Sequence, residues 1–384
     1  MRLPRSDGSL VEFSLPPPKA CLVEPARWNR VAYVAAHVVA DARAGVSWFD
    51  SGAIDWDTTL AYRRHLWDLG FGVAEAMDTA QRGMGLGWPQ ALELIRRTAA
   101  ECRTRKGAAM VAGVGTDHLD PARSASLQDV RQAYESQIEA AEAEGSPIIL
   151  LPSRALARAA RDEQDYLSVY GRLLEQVREP VILHWLGPMF DPALIGYWGS
   201  ADPSRAMDAC LDLLRAHADR IDGIKLSLLD KDLEIDFRRR LPSGVRMYTG
   251  DDFNFAELIA GDESGHSDAL LGILDPTAPL AAQALNHLAR GNAEEFHRIL
   301  RPAIPLSRKI FETPTRFYKT GVVFLAWLNG HQQHFCMLGG MQSARSVVHL
   351  SDVFRLAAEA GLLRDPELAV HRMTRLLAVW GIEP

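Results

Sequence analysis

The stretch Ile221-Asp222-Gly223-Ile224-Lys225-Leu226-Ser227-Leu228-Leu229 alternates as a buried β-strand does, and it carries a single lysine. Side chains on a strand point alternately to its two faces, so Ile224 and Leu226 share an apolar face that suits packing beneath helices. Lys225 and Ser227 share the opposite face. Burial disfavours the charged form of an amine, and a free amine can attack a carbonyl to form a Schiff base. A lysine that pairs with a carboxylate, or whose head reaches water, is the simpler alternative.

The composition is that of a soluble globular protein. The chain has 384 residues, of which 47% are hydrophobic and 24% charged, with a net charge of −7. This length allows one large domain with an appendage or two domains, and the charge gives no indication of nucleic acid or an anionic membrane as partner. The N-terminus lacks the apolar segment of a signal peptide, so we expect a cytoplasmic protein. The widely spaced cysteines, which we expect to be free thiols, are Cys21, Cys102, Cys210 and Cys336.

A strand followed by a helical segment recurs eight times between residues 30 and 290. The predicted strands are residues 31–39, 72–79, 108–115, 147–152, 180–186, 221–229, 245–250 and 268–274. Eight such units fit a (β/α)8 TIM barrel better than a doubly wound sheet, which normally has fewer units. The sequence therefore predicts the α/β class with a barrel at residues 29–290.

The two ends of the chain follow other patterns. Residues 1–28, with three consecutive prolines, predict an irregular N-terminal segment. After Gly291 only helical patterns remain, so we predict a C-terminal all-helical extension at 291–384. The predicted helices are residues 294–312, 321–328, 343–361 and 366–380. Loops at 330–335 and 339–341 are candidates to reach the mouth of the barrel.

Polar side chains are concentrated where the predicted strands end, which is where TIM barrels place reactive groups. In strand order they are His37, Glu75, Asp78, Thr79, Thr116, Asp117, His118, Ser153, Arg154, His184, Lys225, Ser227, Tyr248, Asp251 and Asp252. Buried titratable groups that perturb one another are the expected signature of a site. Simpler interpretations compete: Asp251 and Asp252 could cap the next helix, and a lone His184 on an apolar strand is more often a satisfied core residue. Arg82 and Arg154 could hold a substrate carboxylate or lie on the surface.

Three segments, in this order, resemble the dihydrodipicolinate synthase and N-acetylneuraminate lyase family. They are VILHWLGP at residues 181–188, GIKLS at 223–227 and YTGDD at 248–252. Members of that family are class I aldolases and dehydratases on a (β/α)8 barrel with a C-terminal helical extension. The resemblance follows the order of elements over residues 30 to 320, with Gly-Ile-Lys and Gly-Asp-Asp as its specific part. It indicates a divergent branch of the family.

The resemblance assigns roles to individual residues. Lys225 falls on the Schiff-base lysine, and His184 falls where the family has a proton-relaying tyrosine. A histidine can relay protons because its pKa lies near neutrality. The family's carboxylate-binding Gly-Thr-Thr-Gly-Glu loop corresponds to residues 78–82, where only Thr79 is retained and Asp78 would repel a carboxylate. Pyruvate is therefore less strongly indicated than the lysine chemistry.

We therefore predict a lyase, either an aldolase or a dehydratase, that forms a Schiff base between Lys225 and a keto acid or keto sugar. His184 is the predicted proton shuttle. The predicted substrate-binding residues are Asp78, Thr79, Ser227, Tyr248 and Asp251. We expect no cofactor or bound metal, a small-molecule substrate, no nucleic-acid or membrane partner, and a homodimer or homotetramer by analogy with the family.

Two alternatives remain open at this stage. A metal-dependent sugar isomerase or epimerase on the same fold would use imidazole and carboxylate ligands, which suit Mn²⁺ or Zn²⁺. The candidate ligands are His37, Glu75, His184 and Asp251. A barrel without catalysis that binds a sugar or a partner is the other alternative. Loss of the carboxylate loop favours it, whereas the lysine retained on an apolar strand opposes it.

Overall fold

A computed structural model describes residues 1–17, 27–45, 52–120 and 122–383. The chain begins with a short antiparallel hairpin of β1 (Arg2–Pro4) and β2 (Leu10–Glu12), in which Leu3 pairs with Val11. The expectation of a wholly irregular N-terminal segment is therefore wrong. Phe13, just after β2, makes an edge-to-face ring contact with Phe354 of the C-terminal part, so tertiary packing orders a segment that has no sequence periodicity.

Eight parallel strands close into a barrel, and neighbours in the barrel are neighbours in the chain. The last strand pairs with the first, placing Leu270 opposite Tyr33. The strands are β3 (Ala32–Ala35), β4 (Gly72–Glu75), β5 (Met110–Val114), β6 (Ile148–Leu150), β7 (Val181–Leu186), β8 (Ile221–Ser227), β9 (Arg246–Thr249) and β10 (Asp268–Leu271). The predicted (β/α)8 TIM barrel is confirmed.

Helices cover the outside of the barrel. They are α1 (Trp56–Asp68), α2 (Trp88–Thr104), α3 (Leu127–Ala143), α4 (Arg154–Ala159), α5 (Glu163–Leu174), α6 (Pro203–Ala216), α7 (Lys231–Arg240), α8 (Phe255–Ala260) and α9 (Leu274–Ala289). Side-chain caps begin many of them: Asp55 accepts from the backbone N–H of Thr58 at 3.0 Å before α1, and Ser126 accepts from that of Asp129 before α3. Such caps satisfy N–H groups that lack partners within the helix.

Two apolar layers result from the alternation of the strands. Ile224 and Leu226 lie in the layer between strands and helices, as their shared face predicts. The interior of the barrel is a separate cluster of Ala35, Ala74, Met77, Val111, Ile149, Ile182, Tyr248 and Leu270. Because this interior is filled by side chains, open space is left only beyond the strand ends.

The C-terminal part is helical. Its helices are α10 (Ala293–Leu300), α11 (Ala303–Ile310), α12 (Tyr318–Leu328), α13 (Val347–Ala360) and α14 (Pro366–Val379). The single helix expected over residues 294–312 is wrong, because Pro302 has no N–H to continue the first helix and instead precedes the second. Every residue of α12 is buried, so this helix is the centre of the C-terminal part. None of the described helices is long and apolar enough to cross a membrane.

Cysteine chemistry plays no structural part in the described chain. Cys102, Cys210 and Cys336 are free thiols, and Cys21 lies outside the described residues. Burial raises the pKa of Cys210 well above its usual value, which keeps this thiol protonated and unreactive.

Candidate active site

Lys225 lies on the interior face of β8, level with His184 on β7 and Tyr248 on β9. Lys225 is buried, with a relative solvent exposure of 7%. Within the described part of the chain its amine has no hydrogen-bond or ion-pair partner, and the carboxylates of Asp252 and Asp78 act on it only through space. The salt-bridged lysine of the simpler interpretation is therefore not the arrangement found.

Burial dominates the ionisation of this amine. It lowers the pKa of Lys225 to about 8, while the nearby charges of Asp252 and Asp78 limit the fall. Burial also raises the pKa of Asp252. The hydrogen bond from the Ile273 N–H at 2.8 Å and the charge of Lys225 act in the opposite direction, because both stabilise the carboxylate. A lysine with a pKa near 8 is partly a free amine at neutral pH, whereas an ordinary lysine is almost fully protonated. The free amine is the nucleophilic form of lysine.

A glycine makes room for this amine. A Cβ atom at Gly250, just after β9, would lie 2.1 Å from Ser227 Oγ and 2.8 Å from Lys225 Cε. The backbone N–H of Gly250 also donates to the carbonyl of Leu226 at 2.8 Å, which holds the end of β9 against β8. The glycine of the Thr-Gly-Asp-Asp segment is thus required by the close approach of backbone to the lysine side chain.

His184 is the second reactive group. Its Nε2 lies 3.1 Å from Ser227 Oγ, and its Nδ1 is buried with no hydrogen-bond partner among the described residues. Burial and the neighbouring Lys225 lower the pKa of His184 well below its usual value. The imidazole is therefore neutral, with one nitrogen that can donate and one that can accept a proton. It is not a satisfied core histidine, because one ring nitrogen remains unpaired.

Asp78 and Thr79 lie in a short 3-10 turn, Asp78–Ala80, that follows β4. The turn is strained at both flanks, since Ala76 has a φ of 53° and Gln81 a φ of 65°. This left-handed region is unfavourable for residues that carry a Cβ, and such strain concentrates at functional sites. The turn therefore places Asp78 at the mouth of the barrel at some conformational cost.

Helix α12 of the C-terminal part holds this turn from outside the barrel. The Lys319 amine donates to Asp78 Oδ1 at 2.9 Å, and the hydroxyls of Thr79 and Tyr318 are 2.7 Å apart. The ring of Tyr318 stacks on Phe311 with centroids 4.3 Å apart. Burial, with the nearby Asp78 charge, raises the pKa of Tyr318 well above its usual value. The C-terminal part thus completes the site.

A cavity of about 440 Å³ opens at this end of the barrel, a size that suits a small organic molecule. Asp78 and His184 line it and lie near Lys225, so we call their part of the cavity its inner end. The apolar side chains of Leu186 and Phe190 also line the cavity. Its lining also includes five arginines, namely Arg82, Arg123, Arg154, Arg158 and Arg316. Among the described residues Lys225 is not part of the lining; it lies directly beside His184, which is.

Of the five predicted substrate-binding residues only Asp78 lines this cavity. Thr79 and Ser227 lie behind it, in contact with Tyr318 and His184, and Tyr248 and Asp251 are turned to other partners. The hydroxyl of Tyr248 donates to Asp222 Oδ2 at 2.6 Å, so the side chain points toward the opposite, N-terminal end of β8. Asp251 accepts from the backbone N–H groups of Phe253 and Asn254 at 2.9 and 3.0 Å, which makes it a turn-forming residue. Of the two adjacent aspartates, it is Asp252 that acts on Lys225.

The two arginines proposed to hold a carboxylate already have partners. Arg82 binds both oxygens of Asp117 at 2.7 Å and also donates to the carbonyl of Gly113 at 3.0 Å. Arg154, which is exposed, pairs with Asp191 at 2.5 Å. Arg82 therefore braces the cavity wall.

The ligand set of the metal hypothesis is dispersed. His37 Nδ1 lies 2.8 Å from Asp275 Oδ2, and both oxygens of Glu75 are bound by Arg63 at 2.7 and 3.0 Å. Residues 1–17, 27–45, 52–120 and 122–383 contain no group of three or more His, Cys, Asp or Glu side chains that could hold a metal ion. Because an arginine already neutralises Glu75, this geometry does not favour the metal-dependent isomerase.

Sequence reasoning missed Tyr318 and Lys319, and it selected Asp251 where the carboxylate that acts on Lys225 is that of Asp252. One signal was present: Lys319 is the one charged residue in the otherwise apolar run of α12. A charge on a helix buried all round requires a partner. The polar residues of the C-terminal loops contact other parts of the protein, and His334 Nδ1 accepts the backbone N–H of Cys336 at 3.2 Å. His331 packs against His65 and Tyr62, and Arg345 donates to backbone carbonyls at residues 312–314.

Several solved structures share this fold. A prophage protein of the dihydrodipicolinic acid synthase family from E. coli K12 is 14% identical, with a TM-score of 0.63 over 92% of this chain and 99% of that one. Dihydrodipicolinate synthase DapA-2 from Bacillus anthracis is 15% identical, with a TM-score of 0.62 over 84% and 97% of the chains. The synthase from Aquifex aeolicus is 13% identical, with a TM-score of 0.60 over 92% and 98%.

These comparisons first define the class: the chain has the (β/α)8 fold that the dihydrodipicolinate synthases have, at 13–15% identity. The family model described as "Protein of unknown function (DUF993)" matches residues 1–382, and the chain belongs to that family. A search of curated protein sequences gave no match.

Proposed function

We propose that the protein is a Schiff-base lyase, an aldolase or dehydratase, whose nucleophile is Lys225. The observation that carries this proposal is a buried amine with a pKa lowered to about 8, beside a buried imidazole nitrogen, neither of which has a partner among the described residues. The shared fold supports it. The related E. coli prophage protein was crystallised in complex with pyruvate, a small carbonyl compound.

The reaction follows from these two groups. The free amine of Lys225 attacks the substrate carbonyl, and loss of water from the carbinolamine leaves a protonated imine. This iminium accepts the electron pair released when a C–C bond breaks or a proton leaves the adjacent carbon. The carboxylate of Asp252 stabilises the positive charge electrostatically, because it lies close enough to raise the pKa of Lys225.

His184 is the proposed proton shuttle. Its contact with Ser227 orients the ring at 3.1 Å, and the unpaired Nδ1 is the atom available to exchange a proton with bound substrate. In a C–C cleavage, the neutral imidazole accepts the proton of the substrate hydroxyl as the bond breaks and then donates it to the carbon of the resulting enamine. In a dehydration, it accepts the proton from the carbon beside the iminium and donates it to the departing hydroxyl, which leaves as water. Asp78, which lines the cavity, positions the substrate beside His184, and Thr79, held by Tyr318 at 2.7 Å, fixes the turn that carries Asp78.

Borohydride trapping tests the proposal. The protein is incubated with a panel of keto acids and keto sugars, reduced, and its peptides are weighed. We expect an adduct on the peptide that contains Lys225, absent from Lys225→Met and present in Lys231→Met, which removes an exposed lysine on α7. No adduct with any compound would exclude the Schiff-base lyase. Ligand binding without adduct or turnover would instead favour the non-catalytic barrel.

The assembly stays a prediction: a dimer or tetramer in the cytoplasm, by analogy with the fold family. Sedimentation velocity of the full chain checks the oligomeric state.

A further inference from the structure

We infer that the carbonyl substrate is a hydroxyketone whose anionic group lies away from the carbonyl, as in a phosphorylated ketose or triose, rather than a 2-keto acid. The inference rests on the proposed Schiff base at Lys225. The charged residues that line the cavity indicate which class of substrate this site binds.

The inner end of the cavity presents a carboxylate. A 2-keto acid carries its carboxylate on the carbon next to the carbonyl that Lys225 attacks, so the site would have to hold a negative charge close to the amine. Asp78 lines the cavity and is near enough to Lys225 to raise the pKa of that amine. The carboxylate of a bound 2-keto acid and that of Asp78 would both lie near Lys225 and would repel each other.

Lys319 does not change this conclusion. Its ammonium is completely buried, donates to Asp78 Oδ1 at 2.9 Å and also contacts Met84 Sδ at 3.2 Å. Among the described residues it does not contribute to the cavity lining, so a ligand meets the carboxylate and not the ammonium. The ion pair stabilises the buried ammonium of Lys319, while the carboxylate of Asp78 remains a hydrogen-bond acceptor at the cavity.

The acceptor has unused capacity. Asp78 Oδ2 accepts no hydrogen bond within the described part of the chain, and a carboxylate can accept on both oxygens. A hydroxyl group on the carbon beside the substrate carbonyl is a donor, and a small rotation of the half-buried Asp78 side chain would meet it. The carboxylate of a keto acid offers no donor. The inner end of the cavity therefore suits a substrate whose carbonyl carbon is bonded to a hydroxymethyl or hydroxymethylene group.

The lining also contains five arginines, together with the carboxylates of Asp117, Asp120 and Asp191. Arg82 and Arg154 are paired with carboxylates, but Arg123 and Arg316 form no ion pair with any described residue. The guanidinium of Arg316 lies 4.8 Å from the ring of Phe317, which also lines the cavity. Because Asp117 and Asp191 are the partners of Arg82 and Arg154, Asp120 is the remaining lining carboxylate to consider apart from Asp78.

Asp120 does not offset both arginines. It carries a single negative charge against the two guanidinium groups, and its Oδ1 accepts the backbone N–H of Ala122 at 2.9 Å. The two arginines remain available for a phosphate or carboxylate at the far end of the substrate, where guanidinium groups bind such anions well.

The test compares three probes by borohydride trapping on the intact chain: dihydroxyacetone phosphate, dihydroxyacetone and pyruvate. The readout is the concentration that gives half of the maximal adduct on the Lys225 peptide. We expect dihydroxyacetone phosphate to need about tenfold less than dihydroxyacetone, because charge-assisted hydrogen bonds to an anion are worth on the order of one decade in affinity. Pyruvate should need the most.

Each other outcome is decisive. Trapping of pyruvate at lower concentration than both hydroxyketones would overturn the inference and leave the Schiff-base proposal standing. If dihydroxyacetone and its phosphate give half of the maximal adduct at the same concentration, the inference that the substrate carries an anionic group away from its carbonyl is overturned. No adduct with any of the three would overturn the inference together with the proposed function.

Two variants test the residues. Arg123→Ala with Arg316→Ala should reduce the tenfold ratio between dihydroxyacetone and its phosphate to near one, while Arg205→Ala, an exposed arginine at the start of α6, keeps it. Asp78→Asn with Lys319→Met replaces the buried ion pair by neutral groups of similar size and should lower the concentration of pyruvate needed. An unchanged ratio in the first variant, or unchanged pyruvate trapping in a folded second variant, would contradict the assignment.

Discussion

The free-amine character of Lys225 predicts an unusual pH dependence of its chemical reactivity. Only the unprotonated amine reacts with electrophiles, so the rate of modification follows the free-amine fraction. Burial lowers the pKa of Lys225 to about 8. The modification rate should therefore rise through pH 8 and level off above it.

The size of the effect follows from the two pKa values. Near pH 7.5 about a quarter of the molecules carry a free amine if the pKa is 8, against roughly a thousandth for an ordinary lysine with a pKa near 10.4. Asp252 acts to raise the pKa of Lys225. Replacing it in Asp252→Asn removes a negative charge, disfavours the protonated amine and should move the inflection to lower pH, by up to about one unit.

Carbamylation by cyanate is a suitable assay, because the reagent is small enough to enter a narrow cavity. Each lysine is followed by peptide mass spectrometry between pH 6 and 10. Lys231 is the internal control, since its hydrogen bond to Glu257 raises its pKa and its rate should still rise at pH 10. A Lys225 rate that rises in parallel with Lys231, or an inflection that moves upward in Asp252→Asn, would refute the reasoning.

Three further outcomes are expected. Gly250→Ala should abolish adduct formation in a borohydride assay, because the new Cβ would lie 2.1 Å from Ser227 Oγ. His184→Asn should still form the adduct but exchange the substrate's proton about 10²–10⁴-fold more slowly, since it lacks an acid–base group; mass spectrometry of deuterium uptake measures this. Lys319→Met should lower the free energy of unfolding by about 3 kcal/mol in urea titrations, because it leaves Asp78 without its cation.

Each of these outcomes has a matched control. Gly87→Ala places its Cβ no closer than 3.9 Å to the Pro89 ring and should trap normally. Normal trapping by Gly250→Ala would show that Lys225 does not need this space. Deuterium uptake at the normal rate in His184→Asn would remove the histidine from the mechanism. The double change of Asp78→Asn with Lys319→Met should recover most of the lost stability; a loss equal to that of Lys319→Met alone would contradict the ion-pair argument.

The fold could be predicted because its signals are local. Alternation over residues 221–229 placed Lys225 on the interior face, and eight strand–helix repeats predicted the barrel. The helix expected over 294–312 failed for a local reason that was visible, Pro302. The N-terminal hairpin could not be predicted, because the ring contact between Phe13 and Phe354 joins distant parts of the chain.

The sequence by itself determined the barrel, the strand that carries Lys225 and the neighbouring strand that carries His184, because strand periodicity depends only on nearby residues. Tertiary structure decided which charges surround the amine. It turned Tyr248 toward Asp222 at the other end of the barrel and brought Lys319 to Asp78 across 241 residues of chain. The pKa of a buried amine depends on its burial and on charges a few ångströms away, and neither can be read from spacing along the chain.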